Sequence, residues 1–434
     1  MKQTKRRITA ILLCGLLLLS SCGAQNTAED TSNTDNTQTA SSGNTTVATV
    51  SAIDTSGVFS DRDLAGTYDA TEAIPIALNG DSASCDSSSV AIDGGTITIA
   101  AEGVYLISGT LNDGQIIVNA GDTDKVQLVL AGADITSSTS AAVYALNADK
   151  VFVTLAEGTQ NVLTNGGEYV AIDDNNIDAV IFAKTDLTLN GSGSLTIDAQ
   201  AGHGVVSKDE LTVTGGSYTV TAAEHGMTGK DSLAVAGGTF TITSGKDGLH
   251  AENADDSSLG FLYVADGEFT IAAQGDAVSA SGALQVDGGT FDLTTGEGSA
   301  SVTMPAEESF APGGMGGGPG GQNGARPHGG PSAESGTPPE RADSSDGGQP
   351  PEFPTQPAGE EPASAAETEE VTDTAEDTVS QKGVKAEGAL TINGGTFTVD
   401  SADDCIHSGG DLTVTGGIFT PASSYICQTM VAGQ

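Results

Sequence analysis

The sequence predicts an all-β protein that folds as a right-handed, single-stranded parallel β-helix with about 22 residues per coil. Three observations predict this fold: a Gly-Gly motif that recurs at a fixed period, alternation of apolar and polar residues on both sides of it, and a composition without tryptophan and with few residues that favour helices. Crossovers between parallel strands are nearly always right-handed, which predicts the hand.

The repeat is clearest in segments 211–220, 233–242 and 284–293, and it resumes at 390–399 and 412–420. Stacked coils would pair each strand with its equivalent about 4.8 Å away and bury one face of it. One aromatic position in each copy lies an even number of residues from the inward apolar residues, so its side chain should point to the same, inner face of the strand. We therefore expect a buried column of stacked rings and not a platform for sugars. This column contains Tyr218, Phe240, Phe269, Phe291, Phe397 and Phe419.

The N-terminus has the features of an export signal. Basic residues precede an apolar run, 8–19, that is too short to span a membrane, and small residues lead to Cys22. This ending resembles the lipobox of bacterial lipoproteins, although an ordinary secretory signal with an incidental cysteine is the alternative. We therefore expect residues 1–21 to be a lipoprotein signal peptide, with a lipid on Cys22 that anchors the protein to the extracellular face of the bacterial cell membrane.

Composition divides the rest of the chain. Residues 22–60, rich in Ser, Thr, Asn and Gln, are predicted to be a disordered tether, and residues 303–381, which hold 12 of the 14 prolines, a disordered insertion. The β-helix is expected at 61–302 and, in its terminal coils, at 382–434, because the repeat continues unchanged after the insertion.

The Gly-Gly-Thr-Phe-Thr coils, the turn 402–408 and the segment 179–189 resemble a family of secreted clostridial carbohydrate-binding proteins. The resemblance implies a pectate-lyase-like parallel β-helix that binds cellulose and acidic sugars such as polygalacturonate, carries calcium and lacks demonstrated catalysis. It covers nearly all of the predicted folded part. The long insertion and the histidines in the turns depart from the family's pattern.

Alignment of the turns predicts a strip of polar residues along the solenoid. One column contains Asp178, His203, His225, Asp247, Asp276, Lys382 and Asp404, and a second, three residues further on, contains Ile181, Val206, Thr228, His250, Ser279, Lys385 and His407. Surface turns gather such residues by chance too, but a long polymer needs a long, repetitive polar surface. The candidates for binding a polysaccharide are His203, His225, His250, His407, Lys208 and Lys230.

The formal net charge of −43 raises the question of cations. Carboxylates in adjacent coils would repel each other by about 1 to 3.5 kcal/mol, depending on the dielectric, unless they turn into water or share an ion. Calcium accepts such oxygen ligands in irregular geometry and could also bridge to an acidic polysaccharide. The candidate ligands are Asp173, Asp174, Asp178, Asp247, Asp276, Asp403 and Asp404. No nucleic-acid partner is expected.

We expect a non-catalytic polysaccharide-binding protein, but two alternatives stay open. A calcium-dependent lyase of the pectate-lyase type needs a strong base and a charge clamp, and none of the five arginines lies in the repeat coils. A structural adhesin or spacer without carbohydrate specificity is compatible with the composition.

Cys405 and Cys427 lie 22 residues apart and should occupy nearly equivalent places in adjacent coils. Stacked positions about 4.8 Å apart are within the range that a disulfide tolerates. A disulfide that staples the last coil and a pair of free buried thiols are both compatible with this spacing. Cys85 is expected to be unpaired.

Overall fold

The computed structural model describes residues 53–299, 380–422 and 430–432. They contain one five-residue helix, α1 (Asp61–Ala65), and 32 strands. The strands up to residue 199 are β1 (Ile74–Gly80), β2 (Ala83–Ser84), β3 (Val90–Asp93), β4 (Thr96–Ile99), β5 (Gly103–Leu111), β6 (Gln115–Asn119), β7 (Lys125–Ser137), β8 (Val143–Asn147), β9 (Lys150–Leu155), β10 (Gln160–Asn165), β11 (Ala179–Ala183), β12 (Asp186–Gly191) and β13 (Ser194–Ala199).

The remaining strands are shorter and recur in a regular order of three. They are β14 (His203–Ser207), β15 (Glu210–Val213), β16 (Ser217–Ala222), β17 (Met227–Gly229), β18 (Ser232–Val235), β19 (Thr239–Ser244), β20 (Leu249–Ala251), β21 (Phe261–Val264), β22 (Glu268–Ala273), β23 (Val278–Ala280), β24 (Leu284–Val286), β25 (Thr290–Thr295), β26 (Val384–Ala386), β27 (Leu390–Ile392), β28 (Thr396–Asp400), β29 (Ile406–Ser408), β30 (Leu412–Val414), β31 (Ile418–Pro421) and β32 (Met430–Ala432).

These strands form a 20-stranded and a 12-stranded sheet, and their pairing is parallel apart from the β1–β2 and β3–β4 pairs near the N-terminus. From β11 onward each coil contributes one strand to the 12-stranded sheet and then two to the 20-stranded sheet. The fold is therefore all-β with almost no helix, and its long parallel sheets are those expected of a β-helix solenoid.

The aromatic column is buried, as predicted, from Tyr218 to Phe397, and Phe419 at its end is partly buried. Tyr218 pairs with Phe240 and Phe240 with Phe269 in the parallel ladder, and successive rings from Phe240 to Phe419 stack with centroids 4.6 to 4.9 Å apart. The second glycine of each Gly-Gly pair makes room for these rings. Gly216 has φ 101°, and a Cβ there would lie 2.9 Å from the Tyr218 hydroxyl oxygen. We call strands β16, β19, β22, β25 and β28 the wall strands.

The N-terminal part of the described chain packs on the outside of the 20-stranded sheet. Ser60 caps α1, and Phe59 contacts Tyr263 with ring centroids 5.8 Å apart. The buried Asp63 carboxylate accepts a hydrogen bond from Thr188 at 2.6 Å and lies 2.8 Å from Lys150 Nζ. Residues 53–60, which the sequence placed in the tether, thus belong to the folded part, because their contacts bind them to the sheet.

The coils on the two sides of the predicted insertion pair directly. β23, β24 and β25 lie beside β26, β27 and β28, so the solenoid continues across the gap in the sequence. Ser380 and Gln381, predicted as the end of the insertion, contact the preceding coil: the Ser380 hydroxyl donates to Asp276 at 2.7 Å. Residues 303–379, the signal peptide, Cys22 and residues 22–52 lie outside the described residues. No helix within the described ranges is long and apolar enough to cross a membrane.

Candidate functional site

The candidate site is a groove on the outer face of the 12-stranded sheet. The strands β17, β20, β23, β26 and β29 have three residues each, of which the first and third point inward. Their middle residues form an outward ladder that is in register as predicted, made of Thr228, His250, Ser279, Lys385 and His407.

The turn before each of these strands supplies the second column of the strip. The residue after each column member donates its backbone N–H to the carbonyl of the next member, as from Gly226 to Asp247 and from Gly248 to Asp276. In the same way, Gly204 donates to the carbonyl of His225, and Gly383 donates to the carbonyl of Asp404. The column predicted from His203 onward is thus confirmed in its order.

The first members of both predicted columns were misplaced by one residue. His203 pairs with Ala179 instead of Asp178, and Val206 pairs with Phe182 instead of Ile181. Ile181 packs in the main core, whereas Phe182 faces outward into a small apolar cluster with Tyr144. From sequence alone, the coils were aligned on the acidic residues of their turns. That alignment failed here because the register of the strands is set by the apolar residues that face inward.

Two adjoining cavities of about 470 and 330 Å³ lie along this groove, and His225, His250 and Glu252 line both. The side chains of His203, His225 and His250 are only 13 to 15 % exposed. Their rings are stacked, with centroids 5.2 Å apart for the first pair and 4.2 Å for the second. The three histidines therefore form one ladder in the floor of the groove.

Hydrogen bonds define the state of the first two rings. His203 Nδ1 accepts the backbone N–H of His225 at 3.2 Å, and His225 Nδ1 accepts that of Asp247 at 3.1 Å. Burial and the neighbouring His250 charge lower the pKa of His225 to about 3. His225 is therefore a neutral imidazole near neutral pH.

His250 has the opposite surroundings. Burial alone would lower its pKa, but Asp247 and Glu252 outweigh burial and raise the pKa to about 9. His250 Nε2 is 3.1 Å from Glu252 Oε2, and its Nδ1 is 2.7 Å from Asp247 Oδ2 in an ion pair that is not aligned as a hydrogen bond. The other oxygen of Asp247 accepts the backbone N–H of Asp276 at 2.7 Å.

Four lysines surround the histidines, and each of them is paired with an acid. Lys230 Nζ is 2.6 Å from Asp255 and Lys246 Nζ is 2.9 Å from Glu224. Lys385 Nζ is 2.9 Å from Glu387 and 3.5 Å from Asp276, and Lys208 Nζ is 3.9 Å from Asp178. Sequence reasoning chose Lys208 and Lys230 as binding candidates and placed Lys385 in the strip without making it one. It did not select Lys246, Glu224 or Glu252. The signal that could have found Glu252 and Glu387 is their shared position, two residues after an outward strand residue.

Five of the predicted calcium ligands already have cationic partners within the protein. Asp247 faces His250, the buried Asp276 lies 3.5 Å from Lys385 Nζ, and Asp178 lies 3.9 Å from Lys208 Nζ. Asp403 pairs with Lys382 and Asp404 with His407, at 3.1 Å for the second pair.

Three of the seven predicted ligands, Asp178 among them, lie in the loop between β10 and β11. Asp173 accepts hydrogen bonds from the Tyr144 hydroxyl at 2.6 Å and from the Asn175 backbone at 2.7 Å, and Asp174 is exposed. Asp178 Oδ2 accepts from Asn176 at 2.8 Å, while its Oδ1 is buried and has no hydrogen-bond partner. Asp178 Oδ1 is one of six buried side-chain atoms in the described ranges that lack a hydrogen-bond partner. Two more of the six, Thr228 Oγ1 and His250 Nδ1, lie in the groove.

Cys405 is 7 % exposed and is disulfide-bonded. Cys427, its predicted partner, lies outside the described residues, so this pairing stays a prediction. Cys85 is free.

Comparison with known proteins identifies the kind of molecule to which this groove belongs. The profile of a family described as carbohydrate-binding domain-containing protein matches residues 93–426. A protein of that description from Acetivibrio thermocellus is 41% identical over 128 residues, which is 29% of this chain and 45% of the relative, so the chain spans less than half of that relative's length. The solved structure of the polysaccharide lyase-like protein from C. thermocellum, a gadolinium derivative, is similar with a TM-score of 0.50 and 33% identity, over 52% of this chain and 92% of that one.

Proposed function

The chain belongs to the family of carbohydrate-binding domain-containing proteins, and from that premise we propose that its groove binds an acidic polysaccharide, such as polygalacturonate, without cleaving it. One observation carries the proposal. The chain has a formal net charge of −43, yet four of its ten lysines line the two cavities of a single groove. Each of these lysines is paired with an acid of the protein, and in the complex it would exchange that partner for a carboxylate of the ligand.

The arrangement of the groove suits a polymer with a repeating unit. The parallel ladder brings outward residues of successive coils to a spacing of about 4.8 Å, and the two cavities adjoin along it. A chain of uronate residues lying in the groove would meet a lysine and its acid partner at several coils in succession. The acids keep each lysine side chain oriented and hold the net charge of the empty groove low.

Binding to polygalacturonate and to its fully methyl-esterified form distinguishes recognition of the carboxylates from general adhesion to sugars. We expect the full chain to bind the acidic polymer and to lose most of this affinity when the carboxylates are esterified. Cellulose serves as the neutral comparison. Equal binding to both galacturonan forms would refute acid recognition, and binding to none of the three polymers would favour a structural spacer.

Calcium dependence is a second part of the proposal, and the loop 173–178 is the place in which the residues fit the ion. Three carboxylates and two amides within six residues are hard oxygen donors of the kind that calcium accepts, and the buried Asp178 Oδ1 lacks a partner. Asp173, Asp178 and the side chains between them would hold the ion. At Asp247, Asp276, Asp403 and Asp404 histidine and lysine side chains lie within 3.5 Å, so calcium there would have to replace them. Lys208 is 3.9 Å from Asp178 Oδ2 and leaves the buried Oδ1 without a hydrogen-bond partner.

An ion that binds only the folded state raises thermal stability by mass action. We therefore expect added calcium to raise the melting temperature and a chelator to reverse the rise, with the Asp178→Asn variant insensitive to both. An unchanged melting temperature in the wild type would rule out this calcium site.

A lyase remains the runner-up, since the similar solved structure is of a polysaccharide lyase-like protein. A lyase would require a base and a charge clamp at the bond that is cleaved. Arg62, the one arginine in the described ranges, stacks on Phe152 away from the groove at 4.6 Å, which leaves only lysines for a clamp. Release of unsaturated products from polygalacturonate by purified protein would establish cleavage.

We also propose a lipid anchor on Cys22, a position on the extracellular face of the cell membrane, and a right-handed solenoid of about 22 residues per coil. The basic and apolar N-terminus and the run of small residues before Cys22 support the anchor. Mass spectrometry of the N-terminal peptide from membrane fractions tests it, because an unmodified Cys22 would contradict it.

A further inference from the structure

One cluster in the groove has a chemistry that the carbohydrate proposal does not use. His225, Asp247 and His250 place three potential ligand atoms within 4.8 Å of one another, and no other group of three or more His, Cys, Asp or Glu in the described ranges does so. Two imidazoles and one carboxylate are the donors that zinc and its neighbours among the transition metals accept, whereas calcium prefers oxygen alone.

Outer contacts hold two of these ligands in a defined orientation. Glu252 bonds His250 Nε2 at 3.1 Å, which turns His250 Nδ1 toward Asp247 Oδ2. The backbone N–H of Asp276 holds Asp247 Oδ1 at 2.7 Å, which leaves Oδ2 facing the two imidazoles. A carboxylate on the far nitrogen of a histidine and a hydrogen bond on the far oxygen of a carboxylate are typical of the second shell of metal sites.

The two atoms at the centre of the cluster are held together by charge and not by an aligned hydrogen bond. His250 Nδ1 is buried and lies 2.7 Å from Asp247 Oδ2 in an ion pair whose geometry does not meet that of a hydrogen bond. A divalent ion that displaced the proton of His250 would bind both atoms in its place. The cavity of about 470 Å³ borders all three residues, so an ion held here would keep coordination positions open to water or to a sugar oxygen.

Binding would require a small rearrangement of the rings. His225 and His250 are stacked 4.2 Å apart, and His225 Nδ1 is engaged by the Asp247 backbone at 3.1 Å. A tetrahedral ion with bonds of about 2.1 Å holds its ligands roughly 3.4 Å apart. One ring must therefore turn out of the stack about its side-chain bonds, while the backbone ladder stays in place.

We propose that His225, Asp247 and His250 form a binding site for one divalent ion of the zinc class, separate from the oxygen-donor loop 173–178. The ion would lie in the floor of the groove and offer its open positions to whatever occupies the cavity.

The protein contains a matched site that should not bind. Asp404 and His407 repeat the spacing of Asp247 and His250, and their Nδ1 to Oδ2 distance is 3.1 Å. In the preceding coil, however, the place that His225 has beside Asp247 is taken by Lys382. A lysine cation where the second imidazole should be repels a metal ion, so only the Asp247 cluster has three ligands.

Titration of the full chain, produced without an added histidine tag, tests the proposal with Zn²⁺ by calorimetry and with Co²⁺ by its visible absorption. We expect one ion per chain, a Co²⁺ spectrum of nitrogen and oxygen ligation, and no displacement by a hundredfold excess of Ca²⁺. The His250→Gln variant should lose at least 100-fold in affinity. Glu252→Gln, which removes only the charge of the carboxylate that holds His250 Nε2, should lose about 10-fold, and His407→Gln should bind as the wild type does.

Three results would overturn the proposal: wild-type protein that takes up no Zn²⁺, a His250→Gln variant with wild-type affinity, or a loss in His407→Gln as large as that in His250→Gln. If His250→Gln does not fold, as judged by circular dichroism, Glu252→Gln decides the question. The Glu252 side chain is 58 % exposed, so its substitution does not endanger the fold, and unchanged affinity in that variant would count against the site.

Discussion

The wall strands and the three-residue strands that line the groove (β17, β20, β23, β26 and β29) belong to the same coils, yet their outer faces differ completely. Thr219, Thr241 and Thr270 lie in register on the wall, exposed, above a stack of buried rings. In the groove, by contrast, Thr228 is followed by His250 and Lys385, and the neighbouring side chains are joined by ion pairs. The difference indicates that strands of five or six residues with aromatic interiors maintain the solenoid, while the three-residue strands, most of which bury only their first and third residues, are free to present chemistry.

The largest effect should follow from removing one of the buried aromatic rings beneath the wall strands. Phe269→Ala removes a ring that stacks on two others at 4.8 and 4.6 Å, and we expect a loss of about 3 to 5 kcal/mol in the free energy of unfolding. Thr270→Ala, one residue away on the exposed side, should change it by less than about 0.5 kcal/mol. Denaturant unfolding measures both. Comparable losses in the two variants would show that the outer threonines also stabilise the wall.

The second prediction concerns the disulfide of Cys405, which should stabilise the last coil in addition to side-chain packing. Cys405 precedes β29 and is disulfide-bonded. A bond to Cys427 would lower the entropy of the unfolded chain and so raise the free energy of unfolding by about 3 kcal/mol. We expect a reductant to lower the melting temperature of the wild type and of Cys85→Ser, but not of Cys427→Ser. Mass spectrometry of non-reduced peptides checks the pairing, because two freely alkylated thiols in native protein would exclude it.

The third prediction exchanges charge on the two faces. Lys230→Glu reverses a lysine in the groove, whereas Thr241→Glu adds the same acid to the wall. We expect the first variant to bind polygalacturonate about 10-fold more weakly, a change of about 1.4 kcal/mol, and the second to bind as the wild type does. Affinity electrophoresis in gels that contain the polymer makes the comparison. Equal loss in both variants would mean that overall charge, and not the groove, governs binding.

The wall was predictable from sequence, and the groove only in outline. The period and the parity of the strands fix which residues face inward, so Phe240 and Phe269 could be placed without coordinates. The strip from His203 to His407 followed from the same period. The register at Val206 did not, because the long loop before Asp178 made turn acids a poor guide to strand pairing. The pairing of His250 with Glu252 also escaped prediction, since contacts between side chains depend on their rotamers and not on the period of the repeat.

The smallest effect is expected at the turn between β14 and β15, outside the wall strands. Asp209 lies in this turn, where burial and the neighbouring acids Asp186 and Asp231 raise its pKa to about 7. An acid whose pKa is raised by folding binds its proton more tightly in the folded state, so stability falls as the pH rises from about 4, the unfolded value, through 7. Asp209 is only half-buried, and solvent screening limits the effect to roughly 1 kcal/mol.

We therefore expect Asp209→Asn to be more stable than the wild type at pH 8 and equally stable at pH 4. Asp292→Asn, an exposed acid on the wall, is the matched control, and its difference from the wild type should be the same at both pH values. Urea unfolding at the two pH values measures the change. A gain in the stability of Asp209→Asn that does not depend on pH would contradict the raised pKa of Asp209. It would show that a charge in the turn between β14 and β15 costs no more stability than a charge on the wall.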